Sequence, residues 1–219
     1  MKNESEMRFS MVKERHKKTF QKSVDIGAID EQMIRLCEFI NSTKKYFTSS
    51  SCAGRIVLLG VPKGEDKKGS YFHRKWHRKV KFDELWKALN EKASIETAKF
   101  TPERRKEFSG KIGGKDDEIW FKLDAFILHI GCGNLEDANK LIEVIQKAGI
   151  KRYGITVAKE GKFMLELIGT QNIAMPVKKG GKILVEREYL KKVLGFANKK
   201  LGKNYAQLSR FYKNCKLHL

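Results

Sequence analysis

The chain has 219 residues, enough for a full core, and its 41% hydrophobic and 33% charged content excludes a disordered polymer. Forty-six Lys and Arg against 26 Asp and Glu leave a net charge of +20, which points to a polyanionic partner or, more plainly, to a lysine-rich solubility surface. The apolar run 56–61 is too short for a bilayer span, residues 1–20 lack a secretory apolar stretch, and Cys37, Cys52, Cys132 and Cys215 form no C-x-x-C pair, so a cytoplasmic protein without zinc-finger spacing or a disulfide framework is expected.

In chain order, residues 8–23 predict a basic helix with Lys13, Arg15, Lys17, Lys18 and Lys22. Asp30 stands as N-cap of a second helix whose apolar face is Met33, Ile34, Leu36, Cys37 and Ile40. A serine-rich turn, 47–55, leads into a strand at 54–61. A Gly- and Lys-rich loop at 62–69 and a second strand near 71–80 complete a hairpin. A helix follows at 82–92, with Phe82, Leu85, Trp86 and Leu89 apolar. Residues 94–117 read as a charged loop with one helical turn after Thr101-Pro102. Residues 118–130 read as one long apolar strand and 135–148 as a helix closed by Gly149. Strands at 154–159 and 163–169 make a tight hairpin around Glu160-Gly161. A short strand at 183–185, a helix from 187 to about 201 and a basic tail complete the pattern. The expectation is an α+β fold: one mixed sheet with hairpins flanked by helices, in a single domain. Helix, hairpin, helix and strand recur in two halves, about 8–117 and 118–216, without a residue-level repeat.

The stretch Phe47-Thr48-Ser49-Ser50-Ser51-Cys52-Ala53-Gly54-Arg55 is the densest chemistry in the chain. Three hydroxyls and the N–H groups of a bend can cradle an anion, and a guanidinium can clamp a carboxylate or phosphate. Cys52 reads either as a thiol activated by Arg55 or as a small buried residue. Residues 63–81 carry eight Lys or Arg against two acids, and 178–216 carry twelve against two. In the first of these, Arg74, Lys75, Arg78 and Lys79 interleave with Tyr71, Phe72 and Trp76, the composition of an RNA-binding surface on which bases stack and phosphates are neutralised. Phe72 reads as a core residue of its strand. Trp76 reads equally as core or as a stacking face. His73 and His77, four apart on a strand, are too far apart to share an ion, and no metal is expected. His129 ends an apolar strand and reads either as a functional side chain or as a satisfied core histidine. Gly131-Cys132-Gly133-Asn134 is a poor dinucleotide fingerprint, since Leu135 occupies the third glycine position and the following hairpin breaks the strand–helix alternation.

The run Tyr46 to Arg55 resembles the signature of the wybutosine-synthesis methyltransferases, tRNA wybutosine-synthesizing protein 3 in its archaeal branch. Asp25, Ile29-Asp30 and Ile40-Asn41 match that family's first helix. Lys75-Trp76-His77 matches its Trp-His element. Ile127-Leu128-His129-Ile130 with Leu135-Glu136-Asp137-Ala138 matches its Leu-His strand and succeeding helix, and Glu188-Tyr189-Leu190 with Ala197-Asn198 its C-terminal helix. Phe126, Tyr153 and Ile168-Gly169-Thr170 depart from it, standing for a proline, a serine and an Arg-Ser-Thr element.

The resemblance implies a non-Rossmann fold and S-adenosylmethionine-dependent methylation of nitrogen-4 of a tricyclic wyosine precursor in the anticodon loop of tRNA(Phe), by a protein expected to be monomeric. In the mechanism expected for such an enzyme, Ser49, Ser50, Ser51 and Cys52 with Arg55 hold the cofactor's carboxylate or the substrate's amino-acid side chain, Asp25 holds the cofactor's ammonium, and His129 or His77 is the proton acceptor. Trp76, Arg74, Lys75, Arg78 and Lys79 would lie on the RNA. A noncatalytic RNA-binding protein and a hydrolase using Cys52 are the alternatives.

Overall fold

The computed structural model describes residues 4–62, 70–92 and 116–219. The loop expected at 62–69, beyond Pro62, and the helical turn expected after Thr101-Pro102 fall on residues 63–69 and 93–115, outside the described ones. The elements are α1 (Glu4–Asp25), α2 (Glu31–Ser42), β1 (Tyr46–Cys52), β2 (Arg55–Val61), β3 (Tyr71–Trp76), α3 (Phe82–Asn90), β4 (Glu118–Asp124), β5 (Ile127–Cys132), α4 (Leu135–Lys147), β6 (Arg152–Lys159), β7 (Lys162–Ile168), β8 (Ile173–Lys179), β9 (Lys182–Ile183) and α5 (Arg187–His218). None of the described helices is long and apolar enough to cross a membrane.

The α+β class is as expected, but the sheet is not a single mixed one. Every described strand pair is antiparallel, in two sheets ordered β1-β5-β7-β6 and β3-β2-β4-β8-β9. Two compact units result. One comprises 1–54, 125–170 and 202–219, the other 55–124 and 171–201.

In the first unit, Met33, Leu36, Cys37 and Ile40 on α2 join Leu128, Ile130, Leu165 and Leu167 of the sheet in one buried cluster, with Leu141 and Ile145 of α4 and Leu208, Phe211 and Cys215 of α5. Ile34, expected on that α2 face, is only half-buried. Burial pushes the Cys37 thiol up to about 11 and Cys132 up to about 12, so both behave as small hydrophobes. α1 lies on the opposite face of β1. Its Lys13 ammonium donates to the carbonyls of Thr43 and Tyr46, the latter at 2.8 Å, tying the helix to the α2–β1 connection. Burial lowers the Lys13 pKa to about 8. The two-residue β6–β7 hairpin needs Gly161, at φ 72°, and a Cβ there would also stand 2.8 Å from the Ser5 carbonyl oxygen of α1.

In the second unit Ile56 and Leu58 of β2 align with Leu123 and Phe121 of β4, and all four are buried. Asn198 of α5 imitates a strand partner for Val80, accepting its N–H at 3.0 Å and donating to its carbonyl at 2.9 Å. His73, 1% exposed, is 2.7 Å from the Ala88 carbonyl oxygen of α3 through Nε2.

Burial depresses the pKa of His73, and likewise of His16 on α1. The unfolded chain therefore takes up protons below about pH 6.5 that the folded chain resists, and stability present above that pH is lost as the pH falls. The expected slope between pH 6.5 and 5 is at most about 1.4 kcal/mol per pH unit for each histidine. Urea midpoints followed across that window should flatten in His73→Gln; an equally steep fall in that variant would remove His73 as a cause.

Three sequence expectations change. The run 118–130 is two strands, β4 and β5, in different sheets. Residues 119, 121 and 123 are buried and then 126, 128 and 130, so the two-residue period slips by one at 124–125 and a single strand cannot bury both sets. α5 does not end near 201; Leu190, Leu194, Ala197, Leu201, Asn204, Leu208, Phe211 and Cys215 keep one buried stripe at alternating spacings of four and three. β8 was not foreseen, because Ile173–Lys179 contains Pro176 and little alternation, and it pairs with β9 at Lys182–Ile183 rather than 183–185.

Candidate active site

The serine-rich run is a strand, not a turn. β1 is an edge of the first sheet, where polar side chains are tolerated because one flank has no strand partner among the described residues. Its inner side holds Thr48, 5% exposed, whose N–H donates to Asn41 Oδ1 of α2 at 2.7 Å while Asn41 Nδ2 donates to the Thr48 hydroxyl at 3.0 Å. The pairing shifts register between Thr48 and Ser50, with Ser49 as the extra residue. A bulge re-aims the side chains after it.

Beyond the bulge, Ser50 on β1 stands opposite His129 on β5, which stands opposite Glu166 on β7. All three project from the face away from the buried Leu128, Ile130, Leu165 and Leu167. The Ser50 hydroxyl and His129 Nδ1 are 2.6 Å apart, and His129 Nε2 lies 2.9 Å from Glu166 Oε2. A carboxylate only accepts, so it selects the tautomer with hydrogen on Nε2 and leaves Nδ1 to accept from Ser50. The side chains of His129 and Glu166 are 24% and 31% accessible, which keeps the row within reach of a substrate. His129 is thus an anchored, half-exposed imidazole with an accepting Nδ1 rather than a core histidine. Glu166 was missed by sequence reasoning, since its partnership arises only from β5–β7 register; Phe-Met-Leu-Glu-Leu-Ile carries one polar residue mid-strand, and that was the available signal.

The other expected residues fall as follows. Ser49, Ser50 and Ser51 line a cleft of about 50 Å³ with His16, Thr19, Phe20, Ser23, Ile29 and Thr48. Typical sites for whole small molecules span roughly 300–1,000 Å³. The cleft therefore admits a group the size of a carboxylate or an ammonium and nothing as large as a nucleoside. Asp25, exposed at the end of α1, accepts from Gln21 at 2.8 Å. Cys52, half-buried, ends β1 opposite Ile127. A cavity of about 790 Å³ lies elsewhere in this unit, bounded by Lys13, Lys17, Lys45, Asn134 and Asp137.

In the second unit, Arg55 donates through Nε to Asp124 at 3.0 Å, and its guanidinium lies 4.5 Å over the Phe72 ring. Trp76 is 9% exposed and opposite the buried Ile56, so it is a core residue and not an open stacking face. Phe72, expected in the core, is half-exposed on the other side of the same sheet. The β2–β3 pairing shifts register between Leu58 and Leu59, which sets the two aromatics on opposite faces. Arg74 is paired with Glu91, and Arg78 holds Glu84 in a fork at 3.0 and 2.6 Å. Lys75 and Lys79 are exposed, and His77 is half-buried just after β3.

The Methyltransferase TYW3 family model matches residues 8–216. The chain is 33% identical over 212 residues to the tRNA(Phe) 7-((3-amino-3-carboxypropyl)-4-demethylwyosine(37)-N(4))-methyltransferase 1 of Pyrococcus furiosus, covering 95% of this chain and 97% of that one. It is 33% identical over 187 residues to the tRNA wybutosine-synthesizing protein 3 homolog of Mus musculus, covering 85% of this chain but only 65% of the longer mouse protein. The solved structure of the PH1069 protein from Pyrococcus horikoshii superposes with a TM-score of 0.81 at 27% identity, over 98% of this chain and 97% of that one. A serine-rich edge strand, a histidine anchored beside it and a family match running almost end to end make this chain a member of the TYW3 methyltransferase family.

Proposed function

We propose that this chain transfers a methyl group from S-adenosylmethionine to nitrogen-4 of the demethylwyosine-type tricycle at position 37 of tRNA(Phe). The observation that carries the reading is the match to the Pyrococcus furiosus enzyme of that name, 33% identical and spanning nearly all of both chains. When bound, the cofactor supplies an electrophilic sulfonium methyl. The Ser49 hydroxyl would hold its carboxylate, because Ser50 donates to His129 and Ser51 stands opposite the buried Leu128 on the other face, and the Asp25 carboxylate would suit its ammonium.

The chain's own work is alignment and proton removal. Glu166 keeps hydrogen on His129 Nε2. His129 Nδ1 then receives the Ser50 hydroxyl proton as that hydroxyl takes the proton leaving the ring nitrogen, so the nucleophile sheds its charge without free hydroxide. A position-37 base lies in the anticodon loop, outside a paired stem, so its exposure costs little.

Calorimetric titration with S-adenosylmethionine, followed by mass spectrometry of tRNA(Phe) carrying the demethylated precursor, tests this. Cofactor binding and a mass gain of one methylene on that nucleoside are expected. RNA binding with neither result would overturn the reading in favour of a noncatalytic RNA-binding protein.

A further inference from the structure

Among the described residues, the second unit's sheet has one face buried and one partly exposed, on which Val57 alone of the central strand is covered, at 1% exposed. Across β3, β2, β4 and β8 the partners Phe72, Leu59, Trp120 and Pro176 stand in one row. Three are half-exposed and Pro176 is exposed, whereas Tyr71, Phe121 and Leu123 on the opposite face are buried. The next row is Lys75, Val57, Lys122 and Ala174. The Lys75 ammonium is 5.6 Å and the Arg55 guanidinium 4.5 Å from the Phe72 ring. Trp120 Nε1–H donates to Glu118 at 3.1 Å, which fixes the indole edge, while Lys179 balances that carboxylate at 2.7 Å. Asp124, opposite Arg55, is shared by Arg55 and Lys122, while Lys75 is a further cation of this face.

We propose that this partly exposed face is a platform for single-stranded RNA, on which Phe72 with its Arg55 cap and Trp120 stack unpaired bases while Lys75 and Lys122 meet phosphates. It rests on the tRNA reading above and names the surface that grips the RNA. Aromatic rings and guanidinium planes are the groups on which unstacked bases sit, and flanking cations suit a polyanion rather than an apolar protein partner.

The probe is a single-stranded oligouridylate of about ten nucleotides, within the usual reach of such surfaces. Binding should quench tryptophan emission, and Trp120→Phe should remove most of that quenching. Phe72→Leu and Trp120→Leu keep apolar bulk and should each weaken affinity roughly 5- to 150-fold. Lys75→Ala and Lys122→Ala should each reduce the slope of log affinity against log salt by about 0.7. Leucine variants that keep the wild-type circular dichroism spectrum and bind within twofold of wild type would overturn the proposal. Methylation of tRNA(Phe) by those variants at the wild-type rate would overturn it too, yet leave the methyltransferase reading standing. RNA binding with Trp120 quenching but no methylation would do the reverse.

Discussion

His129→Ala lowers the rate of methyl transfer to tRNA(Phe) by roughly 10²–10⁴-fold, the usual worth of a positioned general base. The loss should fall on kcat, because His129 contacts its neighbours through Ser50 and Glu166 and is not among the residues lining the serine cleft. Glu166→Gln should behave differently. An amide oxygen can still accept from Nε2–H, but its NH2 can equally donate to the ring, so the tautomer is no longer fixed and kcat should fall, by less than in His129→Ala, with KM little changed. A kcat within threefold of wild type in His129→Ala would remove the proton-relay role. A Glu166→Gln kcat equal to wild type would reduce that carboxylate to packing. Both residues are partly exposed and outside the core cluster, so neither substitution should unfold the chain.

Gly131→Ala is expected to be the most destabilising single-methyl addition in the first unit. A Cβ at Gly131 would stand 2.1 Å from the Phe47 ring, on the same face as His129. Phe47 is 0% exposed and cannot step aside easily: the His16 ring stacks on it at 4.8 Å and Phe9 packs at 5.9 Å, both from α1. Overpacking of this kind costs about 1–3 kcal/mol. At this chain length each kcal/mol lowers the melting temperature by about 2–4 °C. Thermal melts of Gly131→Ala alone and combined with Phe47→Leu should show partial recovery in the pair, because a smaller ring restores the space. Equal melting temperatures for wild type and Gly131→Ala would show that the ring swings away freely and that α1 is not held through it.

Much of the local structure was legible in the residues. The 3.6 period of α2, α3 and α4 and the Glu160-Gly161 hairpin carry their own signals, because each depends on neighbours within one or two turns. The slip in alternation at 124–125 lies in the sequence itself, but the continuous apolar run around it masks the change of phase. α5 was shortened for a related reason: Lys199, Lys200, Gly202 and Lys203 look like an ending, yet they lie off the stripe that Leu201, Leu208 and Phe211 continue.

The chemistry divides the same way. By itself the sequence determined the serine-rich run, the nearby guanidinium, the excess of cations and His129 as a candidate base, because these are matters of residue type and short spacing. Only the tertiary structure decided that Ser50, His129 and Glu166 form one hydrogen-bonded row, that Trp76 turns inward, and that Phe72 and Trp120 turn outward. Those outcomes depend on the register of strands far apart in the chain and on bulges that shift it by one residue. A one-residue shift exchanges the two faces of a strand, and no local pattern of side chains reports it.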